Sequence, residues 1–122
     1  MSRIILCGGA GYIGTKLTEH ILDNTNYNIV IVDRLDFRLD ENFKKTRLSD
    51  DRVSFYQKDI RELDFMNELI NENDFVVNLA ALVGEPLCKL KPKEAVEVNY
   101  EAGKDLANLC KKKNIKKFIQ LS

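Results

Sequence analysis

The sequence contains no tryptophan, one histidine and three cysteines among its 122 residues. The histidine, His20, has no second metal ligand at a suitable spacing, and Cys7, Cys88 and Cys110 are scattered without a Cys-x-x-Cys pair. The sequence therefore predicts neither a metal site nor a disulfide framework. It favours free thiols in a reducing cytoplasm.

Net charge and long apolar runs are also lacking. Nineteen basic residues balance nineteen acidic ones, and the longest basic run, residues 111–113, falls where a helix is predicted to end. Neither nucleic acid nor a membrane surface is an expected partner. No run approaches the roughly 20 apolar residues that cross a bilayer, and the first predicted strand begins too early for a signal peptide. We expect one cytoplasmic domain over residues 1–122.

The glycines that are present concentrate in the stretch CGGAGYIG at residues 7–14. It follows the apolar run Ile4-Ile5-Leu6 and opens a helical pattern, which predicts a strand, a glycine loop and a helix. In a dinucleotide-binding loop one glycine permits the tight turn, one lets the backbone approach a pyrophosphate and one lets helix and strand pack closely. Gly8, Gly11 and Gly14, with Tyr12 and Ile13 at the helix start, are therefore the predicted phosphate-binding residues.

The loop has other interpretations. Its spacing fits both Gly9-x-Gly11-x-x-Gly14 and Gly8-x-x-Gly11-x-x-Gly14, and glycines alone are also compatible with a purely structural turn. A P-loop is disfavoured because that motif needs lysine before Ser/Thr after its last glycine. Here Thr15 precedes Lys16.

An acidic residue follows the second predicted strand, Asn28–Val32. Asp33 lies nineteen positions after Gly14, where a dinucleotide-binding domain places the carboxylate that binds the adenosine ribose. A carboxylate there repels a 2′-phosphate, so NAD is favoured over NADP. Arg34 opposes that inference because a guanidinium could receive the phosphate, and Asp33 could also be an ordinary turn residue.

Alternating strands and helices continue along the chain. Residues 35–52 are predicted as a surface loop with at most a turn of helix, and further strands are predicted at 53–57, 75–79 and 117–122. Helices are predicted around 65–70 and over 91–113. Five strands joined by helices predict an α/β, Rossmann-like open parallel sheet with helices on both faces. The strand C-terminal ends then form the ligand-binding edge.

One polar residue interrupts the apolar face of the last helix. Asn99 falls among Ala95, Ala102, Leu106 and Cys110 on one face, so its amide must find partners or face the cofactor. Gly103 on the same face predicts close packing, because glycine costs about 1 kcal/mol in a helix.

These residues together resemble the extended short-chain dehydrogenase/reductase family, in particular its NAD-dependent sugar-nucleotide epimerases and dehydratases. The glycine loop and Asp33 match the family's cofactor loop and ribose acid. The resemblance implies further cofactor contacts. Asp59 and Ile60 are expected to bind the adenine amino edge, and Leu79, Ala80 and Ala81 are expected to line the cofactor. Asn99 matches the family's helix asparagine. The basic-aromatic entry to the fifth strand at 116–119 matches as well.

Two features depart from the family pattern. Asn78 stands where the family usually has histidine. The family's catalytic Tyr-x-x-x-Lys motif, which follows the fifth strand, is absent, and the match of Tyr12 with Lys16 is a coincidence within the phosphate loop. We therefore assign no catalytic residue, and Ser122 is at the family's Ser/Thr position or one residue before it.

The resemblance implies the N-terminal part of an NAD-dependent enzyme acting on nucleotide sugars by transient hydride transfer, inactive by itself. The fifth strand is then expected to be an exposed apolar edge that a homodimer could cover. The alternative is a non-catalytic NAD(P)-binding or sensor module that acts through a partner.

Overall fold

The structure is a computed structural model that describes residues 2–35, 39–80 and 97–121, with the backbone alone at 97–99. Five strands form one parallel sheet in the order β3-β2-β1-β4-β5. Their bounds are β1 Arg3–Cys7, β2 Asn28–Val32, β3 Val53–Tyr56, β4 Phe75–Asn78 and β5 Lys117–Gln120. The predicted fold class is confirmed, and each strand lies within two residues of its predicted bounds.

The strands form because continuous apolar runs can be buried on both faces of a parallel sheet. In β1, Ile5 and Cys7 point to one face and Leu6 to the other, and all three are fully buried. One face packs against Met66, Ile70, Leu106 and Cys110. The opposite face packs against Ile21, Leu22 and Phe43. Alternation along each strand thus supplies two separate cores.

The helices divide between these two faces. Helix α1 (Tyr12–Asn24) covers the Leu6 face, while α3 (Leu63–Leu69) and α4 (Gly103–Lys112) cover the Ile5 face. A π-helical segment, Glu97–Ala102, leads into α4. The residues of the predicted α4 face whose side chains are described, from Ala102 to Cys110, are buried as expected.

Residues 39–52 contain more helix than the surface loop with at most one helical turn that the sequence predicts. Helix α2 (Glu41–Phe43) starts at Asp40, whose carboxylate accepts a hydrogen bond from Phe43 N at 2.9 Å, and continues as a π-helical segment, Lys44–Leu48. Phe43 is only 2% exposed and belongs to the core. The sequence prediction did not identify Phe43 as a core residue because its neighbours are charged.

Strand β5 is the last strand of the sheet and carries the predicted apolar edge. Ile119 and Leu121 are 46% and 47% exposed. None of the helices in the described part of the chain is long and apolar enough to cross a membrane.

Candidate functional site at the carboxyl edge of the sheet

The strand order reverses between β1 and β4, and the site is built where these two neighbours end. The ladder extends one step past β1 and β4, since Leu79 N donates to Cys7 O at 2.7 Å. On the other side Gly8 N donates to Val32 O at 2.7 Å. The glycine loop therefore leaves the sheet at the topological switch point, where open α/β sheets bind ligands.

Gly8 makes the turn out of β1. Its φ of +79° lies in the left-handed region, and a Cβ at this position would be 2.7 Å from Ala80 N. A side chain is thus excluded both by the backbone conformation and by the turn that follows β4.

Gly9 and Gly14 hold the loop against the start of α1. A Cβ on Gly14 would lie 2.5 Å from the Gly9 backbone, and a Cβ on Gly9 would lie 2.9 Å from Leu6 Cβ. Thr18 Oγ1 donates to Gly14 O at 2.9 Å one turn further on. These two glycines therefore serve close packing between loop, strand and helix.

Gly11 differs from the other loop glycines. A Cβ there would meet only Gly8 O, at 3.7 Å, which is an ordinary van der Waals distance, and its φ of −76° is open to any residue. Neither packing nor backbone conformation requires glycine at this position. Apart from Gly8 O, the described structure leaves open space around the Cβ position of Gly11.

That space adjoins the N-terminus of α1. Thr15 N donates to Gly11 O at 2.9 Å, so the amides of Tyr12, Ile13 and Gly14 precede the first i→i−4 bond of the helix. Tyr12 and Ile13 are 80% and 54% exposed. A 13-residue helix whose first turn has no acidic side chain offers an anion its amides and the positive end of its dipole.

Asp33, the predicted ribose-binding carboxylate, lies beside the glycine loop. Its Oδ2 accepts a hydrogen bond from Ala10 N at 2.9 Å, and its Oδ1 accepts one from Leu35 N at 2.7 Å. Each oxygen retains acceptor capacity, because an ionised carboxylate has about four lone-pair sites. The hydrogen bond from Ala10 N holds the Asp33 carboxylate against the glycine loop.

Asp59 is surrounded by arginine. Its carboxylate accepts hydrogen bonds from Arg61 Nη2 at 2.6 Å and Arg34 Nη1 at 3.2 Å, and Arg61 N also donates to it at 2.9 Å. Burial alone would raise the pKa of Asp59, but the Arg61 bonds and the charges of Arg61 and Arg34 outweigh it and lower the pKa below its ordinary 3.8. An adenine amino group would have to compete with Arg61 for this carboxylate.

Ile60, the other predicted adenine contact, is 3% exposed and belongs to the core on the α3 and α4 face. Only its backbone is therefore presented at the sheet edge.

The turn after β4 is held by an amide network. Asn78 is fully buried, its Nδ2 donates to Gln120 Oε1 at 2.9 Å and its Oδ1 accepts from Ala80 N at 3.0 Å. A Cβ on Gly103 would lie 3.3 Å from Gln120 Oε1, so the glycine of α4 makes room for this pair. The predicted close packing at Gly103 is confirmed, and Leu79 and Ala80 are fixed beside Gly8.

Three predicted positions are not covered by these contacts. Ala81 and Ser122 lie outside the described residues, and the Asn99 side chain lies outside the described atoms. His20 is exposed on α1. Within 2–35, 39–80 and 97–121 no three His, Cys, Asp or Glu side chains form a metal-binding group.

Sequence reasoning missed Ala10, Arg61 and Gln120 as parts of the site. Ala10 acts through its backbone, and Gln120 depends on which strand neighbours β4. The available signal for Arg61 was its position only two residues after Asp59, since the Arg61 guanidinium bonds that carboxylate.

The strand order and the glycine loop at the switch point define an α/β fold of the Rossmann class. The chain belongs to the NAD dependent epimerase/dehydratase family, whose model matches residues 4–122.

Similar proteins extend well beyond this chain. It is 29% identical over 119 residues to the uncharacterized membrane protein MJ1061 of Methanocaldococcus jannaschii, covering 98% of this chain and 35% of that protein. It is 24% identical over 120 residues to UDP-N-acetylglucosamine 4,6-dehydratase (inverting) of Campylobacter jejuni, covering 98% and 36%. The chain thus spans about a third of the length of the curated relatives it matches.

Solved structures show the same fold. The UDP-glucose-4-epimerase of Stenotrophomonas maltophila, with bound NAD and formylated UDP-arabinopyranose, superposes with a TM-score of 0.80 at 24% identity, covering 97% of this chain and 36% of that one.

Proposed function

We propose that this chain binds NAD at the carboxyl edge of its sheet and forms the cofactor-binding part of a nucleotide-sugar epimerase or dehydratase. The observation that carries the proposal is Gly11. Its neighbours Gly8, Gly9 and Gly14 are glycines for reasons of packing or backbone conformation, whereas Gly11 borders open space at a helix N-terminus. A phosphate approaching the backbone there accounts for the missing side chain.

The proposed cofactor contacts follow the edge of the sheet. The amides of Tyr12, Ile13 and Gly14 would hold the pyrophosphate, and Asp33 would accept hydrogen bonds from the adenosine ribose. The remaining proposed contacts are the adenine-side pair and the nicotinamide-side residues: Asp59, Ile60, Leu79, Ala80, Ala81 and Asn99. Because Asp33 repels a 2′-phosphate, we propose NAD as the preferred dinucleotide.

In such enzymes NAD supplies transient oxidation, taking a hydride from a sugar carbon and returning it. The residues of this chain bind and orient the cofactor. We propose that the chain alone does not turn over a nucleotide sugar. Its two tyrosine and lysine pairs at the catalytic spacing, Tyr12 with Lys16 and Tyr100 with Lys104, both precede the fifth strand, whereas the family's motif follows it. Tyr12 and Lys16 belong to α1, where the Lys16 ammonium lies 6.0 Å from the Tyr12 ring centroid. Tyr100 lies in the π-helical segment before α4, and Lys104 lies in α4.

A second function is favoured by the β5 edge, where Ile119 and Leu121 are about half exposed. An NAD-binding module that acts through a partner, or a homodimer, would bury these side chains. Sedimentation over a range of concentrations, with and without NAD, distinguishes an association that depends on cofactor from one that does not.

Calorimetric titration of the chain with NAD and NADP tests the main proposal. We expect saturable binding with NAD preferred, and we expect Asp33→Ala to weaken NAD binding more than NADP binding. The Asp33→Asn variant keeps the size of the side chain and one acceptor oxygen, so its NAD affinity should lie between those of the wild type and Asp33→Ala. A folded monomer that binds neither dinucleotide would leave the glycine loop as a structural turn, and an equal loss for both would refute the ribose assignment.

A further inference from the structure

We propose that Asp59 sets the preference for NAD over NADP by compensating the charge of Arg34, an inference that rests on the proposed NAD site. Arg34 directly follows Asp33, whose carboxylate bonds the glycine loop through Ala10 N. An arginine close to the ribose acid is the group that accommodates a 2′-phosphate in dinucleotide-binding domains. This chain therefore carries both a group that favours NAD and one that favours NADP.

The structure commits Arg34 to another carboxylate. Arg34 Nη1 is 3.2 Å from Asp59 Oδ2, and the two side chains are 25% and 19% exposed. Partial burial of both partners reduces the screening of their attraction by solvent and salt. The guanidinium is thereby held to the end of β3.

The effect of this ion pair on NADP binding depends on the net charge of the residues around it. Asp33 and Asp59 are balanced by Arg34 and Arg61, and the adjacent Lys58 and Glu62, 3.8 Å apart, add one charge of each sign. Among the described residues of this region, a 2′-phosphate meets no net positive charge, and Asp33 repels it. Loss of the Asp59 charge would leave one net positive charge and a guanidinium no longer tied to a carboxylate at residue 59.

The test compares dissociation constants for NAD and NADP in the Asp59→Asn variant. At an effective dielectric constant of about 20, we expect the affinity for NADP relative to NAD to rise about tenfold. The ratio is informative because a general disturbance of the fold or of adenine binding weakens both dinucleotides alike.

Three variants serve as controls. Asp59→Glu keeps the charge and should keep the wild-type ratio. The double variant Asp59→Asn/Arg34→Gln should lose the gain, since it removes the positive charge of Arg34 together with the negative charge of Asp59. Should Asp59→Asn fail to fold, Arg34→Gln tests the same balance in the other direction and should lower the relative affinity for NADP.

An unchanged ratio in Asp59→Asn, or a gain that persists in the double variant, would overturn the inference while leaving NAD binding in place. A wild-type chain that binds neither dinucleotide would instead remove the proposed function and this inference with it.

Discussion

At the scale of single residues, the loop glycines separate into two kinds that share a sequence motif. Gly14 has no space for a methyl group, because Gly9 backbone atoms lie 2.5 Å from the Cβ position, while Gly11 has an ordinary contact distance of 3.7 Å. We expect Gly14→Ala to destabilise the fold by about 1–3 kcal/mol through overpacking.

Gly11→Ala, the matched variant, should cost about 1 kcal/mol or less as a change of N-cap residue and should lose NAD affinity at least tenfold (~1.4 kcal/mol). Urea denaturation and calorimetric titration measure the two effects separately. A Gly11→Ala variant that binds NAD like the wild type would show that this glycine does not serve the ligand.

The Asp59 carboxylate gives a pH-dependent contribution to stability. Its pKa is lower in the folded protein than the ordinary 3.8, so the ionised form stabilises the fold at neutral pH, and the contribution is lost as the pH falls below about 4. The difference in unfolding free energy between wild type and Asp59→Asn should therefore be largest near neutral pH and shrink in acid. Urea unfolding at several pH values checks this, and a difference that is constant with pH would contradict it.

At the scale of secondary-structure elements, the amide pair between β4 and β5 fixes the turn beside the glycine loop. Asn78→Ala would leave the partly buried Ala80 amide without its side-chain acceptor, which should cost about 1–3 kcal/mol. Gln120→Ala is the control, because Gln120 is exposed and water can replace its bond to Asn78. Urea denaturation should give a clearly lower free energy of unfolding for Asn78→Ala than for Gln120→Ala. Equal losses of stability would speak against the network.

The elements also show what sequence reasoning can reach. The strands were predictable because unbroken apolar runs such as Ile29–Val32 require cover on both faces. The burial of Phe43 was not predictable, because one aromatic residue among charged neighbours produces no helical periodicity of apolar residues. The Asp59 to Arg34 ion pair was also beyond local patterns, because it depends on which strand ends lie side by side.

At the scale of the whole molecule, the thiol reactivity of the two described cysteines is expected to measure global unfolding. Cys7 and Cys110 are fully buried; burial raises the pKa of Cys7, with a further contribution from Cys110. Burial, with the charge of Asp74, raises the pKa of Cys110 to about 11.

In a Cys88→Ser background, both thiols should react with a disulfide reagent only through unfolding, at least about a thousandfold more slowly than in urea. The absorbance of the released thiolate follows the reaction. A rapid phase without denaturant would mean that one of the two sites opens locally.

The position of β1 has a consequence for how the chain reaches this fold. Ile4 lies opposite Ile29 on one side and opposite Phe75 on the other, so the central strand pairs with one segment nearby in sequence and one far away. Such distant parallel pairing slows folding, because loop closure precedes the contacts that reward it. During synthesis, the side of β1 that faces β4 can pair only after Phe75–Asn78 has left the ribosome. Until then it is an exposed apolar strand edge, which favours aggregation of the nascent chain.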